Sequence, residues 1–250
     1  MQIKTTGLVI KQRDIGENDK ILTILTKELG IVEATARGIK RSKNVLSAPC
    51  QILCYSEFCL YQGKSYYIVN SAEVINSFYD IRLDVVKLSL ADYFCEITSF
   101  VSPDADIAWE YLRFFLNSLH FIEKDLLTLA QIKSIFELRA LSLLGFMPDI
   151  VGCKGCSEFE KEKMFFLPLD GIWVCQDCAD GYISTMKIPL TKPVLAAMRH
   201  IIYSQGEKVF SFKIGKQLQK QLSFITESFA LIHTDANFKS LEIFKSLSLD

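Results

Sequence analysis

The chain has 250 residues, half of them apolar and 23% charged, with 28 Lys and Arg against 29 Asp and Glu for a formal net charge of −1. That balance excludes a disordered chain, which needs low hydrophobicity and high net charge, and no stretch reaches the ~18 consecutive apolar residues of a membrane span. A charge near zero carries no overall signature of a nucleic-acid binder, so only a local cluster can supply one.

The first eighty residues read as β. Gly7–Ile10 opens a short apolar run, Lys20–Thr26 is a second run rich in β-branched residues, and Ile31–Ala36 is a third, set off by Gly30. Gln51–Tyr61 and Ser65–Val74 form two further predicted strands around a turn at Gln62-Gly63-Lys64. Five short strands with turn residues between them predict a small barrel or sandwich. After Tyr79 the spacing becomes helical: Leu83, Val86, Leu90, Phe94, Ile97 and Val101 follow a 3.6-residue repeat. Ser102-Pro103-Asp104 interrupts it, and Asp104 or Asp106 is placed to begin a second helix running to Ile122. A third spans Thr128 to Leu144, with Gly145 where a left-handed cap is wanted. Two more are predicted at Thr191–Ser204 and Gly215–His233, and a shorter one follows Ala236.

Eight cysteines occur, and the last four form two Cys-x-x-Cys pairs, Cys153/Cys156 and Cys175/Cys178. Each pair lets a tight turn point two thiolates at one metal, and two such turns complete a tetrahedron, which is the spacing of a structural zinc site. Gly155 provides backbone freedom inside the first turn. Met164–Leu167 and Gly171–Val174 are placed to form a hairpin about Pro168-Leu169-Asp170 that brings the halves together. A redox dithiol is the competing reading, and it needs a Cys-x-x-Cys at a helix start. Cys50, Cys54, Cys59 and Cys95 lie in apolar segments and read as core thiols.

Arg37, Lys40, Arg41 and Lys43 place four positive charges within seven residues and no acid among them. Lys11, Arg13, Lys20 and Lys27 add to them from upstream, diluted by Asp14, Glu17 and Asp19. Such a cluster can neutralise phosphates with a salt-dependent affinity, although most short charge runs are solvated loops. Tyr66 and Tyr67 follow in the last predicted strand. Alternation forbids both from facing inward, so one is a candidate stacking platform for unpaired bases. No phosphate-binding glycine loop, His-Glu-x-x-His or nucleophile elbow is found. His120, His200 and His233 lie on separate predicted helices, and the carboxylates Asp104, Asp106, Glu158, Glu160 and Glu162 have no acid–base context. No catalytic residue is assigned, and a non-enzyme is expected.

Several blocks together resemble the bacterial RecO family of DNA repair proteins. Gly7-Leu8-Val9-Ile10-Lys11, Gly16-Glu17-Asn18-Asp19-Lys20-Ile21-Leu22, Leu25-Thr26-Lys27-Glu28-Leu29-Gly30 and Ala36-Arg37-Gly38 with its basic tail are similar to that family's N-terminal signature. Leu143-Leu144-Gly145-Phe146-Met147-Pro148 followed by the two cysteine pairs resembles its second domain. The resemblance implies an α+β protein of two domains: an N-terminal OB-fold β-barrel over 1–80, then an α-helical domain over 81–250 with an inserted four-cysteine zinc segment at 151–182. It implies one structural zinc on Cys153, Cys156, Cys175 and Cys178, and a non-catalytic recombination mediator of the bacterial cytoplasm, associated with the nucleoid. Such a protein binds single- and double-stranded DNA, anneals strands, works with RecR, contacts the C-terminal tail of single-stranded DNA-binding protein, and helps load RecA. The family's basic stretch falls here on Arg37, Lys40, Arg41 and Lys43. For a partner tail, Arg199, Lys216 and Lys220 are candidate rim charges. The rival readings are a zinc-stabilised interaction scaffold with little DNA affinity of its own and a thiol–disulfide enzyme. The opening residues Met1 to Thr6 lack the basic-then-apolar pattern of a secretory signal, so a cytoplasmic protein is expected.

Overall fold

The computed structural model describes residues 1–63, 66–184 and 186–248. It divides into two compact units, residues 1–124 with the C-terminal 238–250, and residues 125–237.

In the first unit, five strands close a barrel: β1 (Gln2–Ile15), β2 (Asp19–Thr26), β3 (Ile31–Ala36), β4 (Tyr55–Gln62) and β5 (Tyr67–Asn76), in the order β1-β2-β3-β5-β4. Neighbours are antiparallel except β3 and β5, whose short parallel pairing of Ala34 with Tyr67 and Thr35 with Ile68 closes the sheet. This is the OB-type barrel, and closure removes the open strand edges that would template aggregation. Alternation turns Val9, Leu22, Ile24, Val32, Ala34, Phe58, Leu60 and Val69 into the interior. β1 is much longer than the predicted Gly7–Ile10, because its second half alternates polar outward residues and shows no apolar run. The predicted strand over Gln51–Tyr61 loses its first four residues to a turn in which Leu53 has φ 61°, a left-handed conformation that cannot continue a strand. Lys64 and Ser65, part of the predicted turn and strand start, lie outside the described residues.

The register of β1 against β2 shifts between Val9 and Lys11. Because side chains alternate with a period of two, this β-bulge reverses which parity faces out. Val9 points into the core opposite Ile24, yet Lys11, two residues on, lies opposite Thr23 on the outer face. The connection between β3 and β4 is a run of turns, not a free loop: Ile39, Leu46 and Cys50 insert into the barrel core. Burial pushes the Cys50 thiol up to about 12, which keeps it protonated and inert.

Four helices complete this unit. α1 (Tyr79–Arg82) and α2 (Val85–Val101) are separated by Asp84, whose carboxylate accepts from the Val86 and Lys87 amides and so caps α2. α3 (Ala108–Glu123) begins later than predicted, because Asp104 accepts from the Asp106 amide in a local turn instead of capping the helix. α2 packs on β1 and α3 on β2. α7 (Lys239–Leu247) lies along α2, with the Phe238 ring 5.3 Å from Tyr93 and the Ser240 hydroxyl donating to Glu96.

The second unit holds α4 (Leu129–Leu143), a three-stranded sheet of β6 (Met164–Leu167), β7 (Ile172–Cys175) and β8 (Ile188–Leu190), then α5 (Lys192–Tyr203) and α6 (Lys216–Thr234). Thr128 caps α4 through the Gln131 amide. At its other end Gly145 takes φ 91° and the Phe146 amide donates back to the Leu141 carbonyl, the Schellman closure that the glycine predicts. α4 packs against α5 and α6. Between α4 and α6, buried Lys133 stands 2.8 Å from both Glu137 and Glu227, and Glu137 also accepts from the Thr226 hydroxyl. β8 is too short, and carries Pro189 at its centre, to show in the sequence pattern.

Candidate nucleic-acid interface and metal centre

The barrel face is assembled by register. After the bulge, Lys11, Arg13 and Ile15 point outward from β1; Asp19, Ile21 and Thr23 do so from β2; Glu33 and Thr35 do so from β3, with Arg37 just beyond it. Cross-strand partners share a face, so Arg13, Ile21 and Thr35 form one row. These rows line a groove of ≈ 380 Å³ that includes Arg13, Ile15, Ile21, Arg37 and the half-exposed Tyr66. Tyr67, by contrast, packs against the barrel core. Of the two adjacent tyrosines, alternation leaves Tyr66 at the surface.

The remaining basic residues are not all on this face. Lys20 takes the inward parity of β2, opposite Asp14 and Ala36 at the barrel's end, and its Nζ donates to Gln12 Oε1 at 2.9 Å. Lys40 stands there too, with Nζ 2.7 Å from Asp14. The hydrogen bond from Lys40, with its charge and that of Lys20, holds the Asp14 carboxyl below the usual carboxylate range against a smaller opposing effect of burial. Arg37, Arg41 and Lys43 are exposed, and among the described residues no carboxylate lies within ion-pair reach of them or of Lys11.

The basic turn is held in place. The Gly38 amide donates to Asp19 Oδ1 at 2.7 Å, and the Lys40 amide to the Asn18 carbonyl at 3.0 Å. Asn44 bridges the turn, donating through Nδ2 to the Gly38 carbonyl at 2.7 Å and accepting from the Leu46 amide at 2.8 Å. Sequence reading found the cations but missed Asp19 and Glu33 as parts of the groove. Their signal was the alternation of β2 and β3, which becomes useful only once the bulge in β1 is known.

In the second unit the β6–β7 hairpin forms about Pro168-Leu169-Asp170 as predicted, and it carries Cys175 to Cys153. The sulfur atoms of Cys153, Cys156, Cys175 and Cys178 all lie within 4.8 Å of one another, and those of Cys156 and Cys175 are 3.9 Å apart. Four thiolates at ~2.3 Å from a tetrahedral ion stand ~3.8 Å from each other, so the quartet fits a metal with all four positions filled by protein. Burial alone would raise the Cys153 thiol, but amide donors from Cys175, Cys156 and Gly155 bring it down to about 6, while the neighbouring sulfurs push the Cys178 thiol up, so the four thiols share their protons instead of all standing as thiolates without a metal. Gly155 matters for a reason other than the one predicted. Its φ is not positive, but a Cβ there would stand 2.6 Å from Cys178 Cβ and 2.7 Å from its sulfur. Only glycine lets the two turns meet. Neither pair starts an α-helix, since Cys153–Cys156 precedes β6 and Cys178 leads into a single 3-10 turn at Ala179–Gly181. That arrangement disfavours a redox dithiol.

Arg199 is committed to holding the four-cysteine segment. It donates to the carbonyls of Ile150, Val151 and Phe159 and lies 3.6 Å over the Phe159 ring, with Glu160 at 3.8 Å. Glu162 pairs with Lys192, while Lys216 and Lys220 are exposed. His200 and His233 donate to the carbonyls of Lys208 and Pro168. No helix among the described residues is long and apolar enough to cross a membrane.

Comparison with known proteins follows the same division. The family described as Recombination protein O N terminal matches residues 1–78, and Recombination protein O C terminal matches residues 82–242. The chain is 35% identical over 245 residues to the DNA repair protein RecO of Acetivibrio thermocellus, covering 98% of this chain and 97% of that one. It is 30% identical over 248 residues to the protein of the same name from Alkaliphilus metalliredigens, covering 99% and 100%. With that of Symbiobacterium thermophilum it shares 28% identity over 244 residues, covering 96% of each.

Proposed function

Because the chain belongs to the RecO family of DNA repair proteins, we propose that it is a non-catalytic recombination mediator that holds DNA on the outer face of its barrel. The observation that carries this reading is the convergence of Lys11, Arg13 and Arg37 on one face of β1–β3, with Tyr66, just before β5, lining the same groove, beside a fixed turn presenting Arg41 and Lys43. Lys11, Arg37, Arg41 and Lys43, with no carboxylate within ion-pair reach among the described residues, are free to displace the counterions of phosphates, whereas Arg13 is paired with Glu33 at 3.4 Å; such charge supplies affinity without reading sequence. The half-exposed Tyr66 ring offers a π-face to an unpaired base. Lys40 and Lys20 contribute to the field at the barrel's end but are already engaged by Asp14 and Gln12. Tyr67 packs against the barrel core instead.

In this reading residues 1–80 are the nucleic-acid module and residues 81–250 serve other proteins. The mediator's further work is binding single- and double-stranded DNA, annealing strands, and loading RecA together with RecR in the bacterial cytoplasm. The acidic tail of single-stranded DNA-binding protein would be met by a cation beside an apolar pocket. Lys216 and Lys220 are available for that, whereas Arg199 is occupied. The four cysteines would hold one zinc ion. When bound, zinc supplies a structural cross-link between the two turns, and a site closed by four protein ligands leaves no position for water activation.

Ultraviolet cross-linking of the full chain to a single-stranded oligonucleotide, followed by peptide mapping, tests the assignment. Cross-links are expected at Tyr66 and in the peptides spanning 11–15 and 33–43. Cross-links confined to other segments would overturn the barrel-face reading.

A further inference from the structure

The groove on the barrel face is not uniformly basic. Glu33 and Asp19 stand in it beside Arg13 and Arg37. A surface that gripped only phosphodiesters would be weakened by carboxylates, because like charges repel at close range. Beyond their partners in the fold, Gly38 for Asp19 and Arg13 for Glu33, the two acids offer oxygens that suit a ligand group that donates hydrogen bonds.

Both are able to accept. Glu33 Oε2 lies 3.4 Å from Arg13, and both side chains are more than half exposed, so the pair contributes little on its own and opens readily to a ligand. Asp19 is held by the Gly38 amide through Oδ1, and its other oxygen has no partner among the described residues. Ile15 and Ile21 give the groove an apolar floor, and Tyr66 gives it an aromatic wall. Its ≈ 380 Å³ leaves room for one flat heterocycle.

Resting on the reading that this face carries the strand, we propose that the groove takes one unpaired base with its donor edge toward Glu33 and Asp19, and so prefers guanine and cytosine to thymine. Guanine presents a ring N–H and an adjacent amine to a carboxylate, and cytosine presents its amine. Thymine offers a single N–H flanked by two carbonyl oxygens, which the carboxylates repel. The phosphates on either side then fall to Lys11 and Arg37 at the rim. Charge supplies most of the affinity, and the groove adds discrimination at a single nucleotide.

The test is fluorescence anisotropy of the full chain with a labelled oligothymidylate of ~10 nucleotides, against the same strand carrying one central dG or dC. The substituted strands are expected to bind about fivefold tighter or more. Glu33→Gln is expected to abolish the difference and, by removing a negative charge, to bind the all-thymine strand more tightly than the parent. Equal affinity of the parent for all three strands, or a preference that survives Glu33→Gln, overturns the proposal. The double variant Arg13→Ala/Arg37→Ala separates the two levels. If it weakens binding to every strand while the parent shows no base preference, the groove's discrimination fails and the face reading stands. Unchanged binding in the double variant removes the strand from this face and the proposal with it.

Discussion

Two residues show how sharply single positions are constrained here. At Gly155 a methyl group would overlap Cys178 at both Cβ and sulfur, so Gly155→Ala is expected to separate the two cysteine turns. Structural zinc sites contribute several kcal/mol to folding. The parent protein should therefore lose thermal stability when a strong chelator is added. The Gly155→Ala variant should start lower and respond little to the chelator; a variant that melts like the parent and keeps its metal would contradict the close-packed knuckle. Asp92 on α2 illustrates an electrostatic constraint. Burial, with the Glu96 charge one turn away, pushes its carboxyl up to about 6. A carboxyl raised above its unfolded value favours folding only when protonated, so its contribution is full below the unfolded pKa and is lost as pH rises through about 6. Asp92→Asn should consequently stabilise the protein by about 1 kcal/mol near neutrality, allowing for its partial exposure. Melting curves at about pH 8 should show that gain, and at about pH 4 it should vanish.

At the level of elements, the basic turn is ordered by Asn44, which bonds both Gly38 and Leu46. Asn44→Ala leaves every charge in place but releases the turn. Single-stranded DNA affinity is expected to fall about threefold to tenfold from the ordering cost, with an unchanged salt dependence; a changed dependence would mean that the turn's geometry sets how many phosphates are met. The elements also mark what was legible in the sequence. Helix α2 followed from 3.6-residue spacing, the ranges of α4, α5 and α6 were read as helical segments, and the α4 ends followed from Thr128 and Gly145, because those signals are local. The cysteine site was legible for the same reason, each pair being set within four residues. The groove was not. Its residues come from three strands, and their common orientation depends on a bulge between Val9 and Lys11 that leaves no mark in composition. Lys20 looked equivalent to Arg13 in the sequence, yet strand parity sends it to the barrel's end, where it meets Gln12. Barrel closure rests on the parallel contact of β3 with β5, a pairing across thirty-odd positions that no local pattern encodes.

For the whole molecule, a chain of net charge −1 has little long-range attraction for a polyanion. On the proposed reading the affinity comes from the local arrangement on the barrel, where residues 1–80 hold ten basic against eight acidic side chains and part of that acid is spent on Lys40 and on the turn at Gly38. On the proposed reading, such a surface binds DNA modestly and lets go as salt rises. The central claim is therefore electrostatic, and the salt dependence of single-stranded DNA binding measures it most directly. Each phosphate contact adds about −0.7 to the slope of log affinity against log salt for a single strand. Comparing the parent with the variant in which Lys11, Arg37, Arg41 and Lys43 are all replaced by Ala, we predict a slope shallower by ~3 and weaker binding at low salt. Identical slopes for the two proteins would contradict the account.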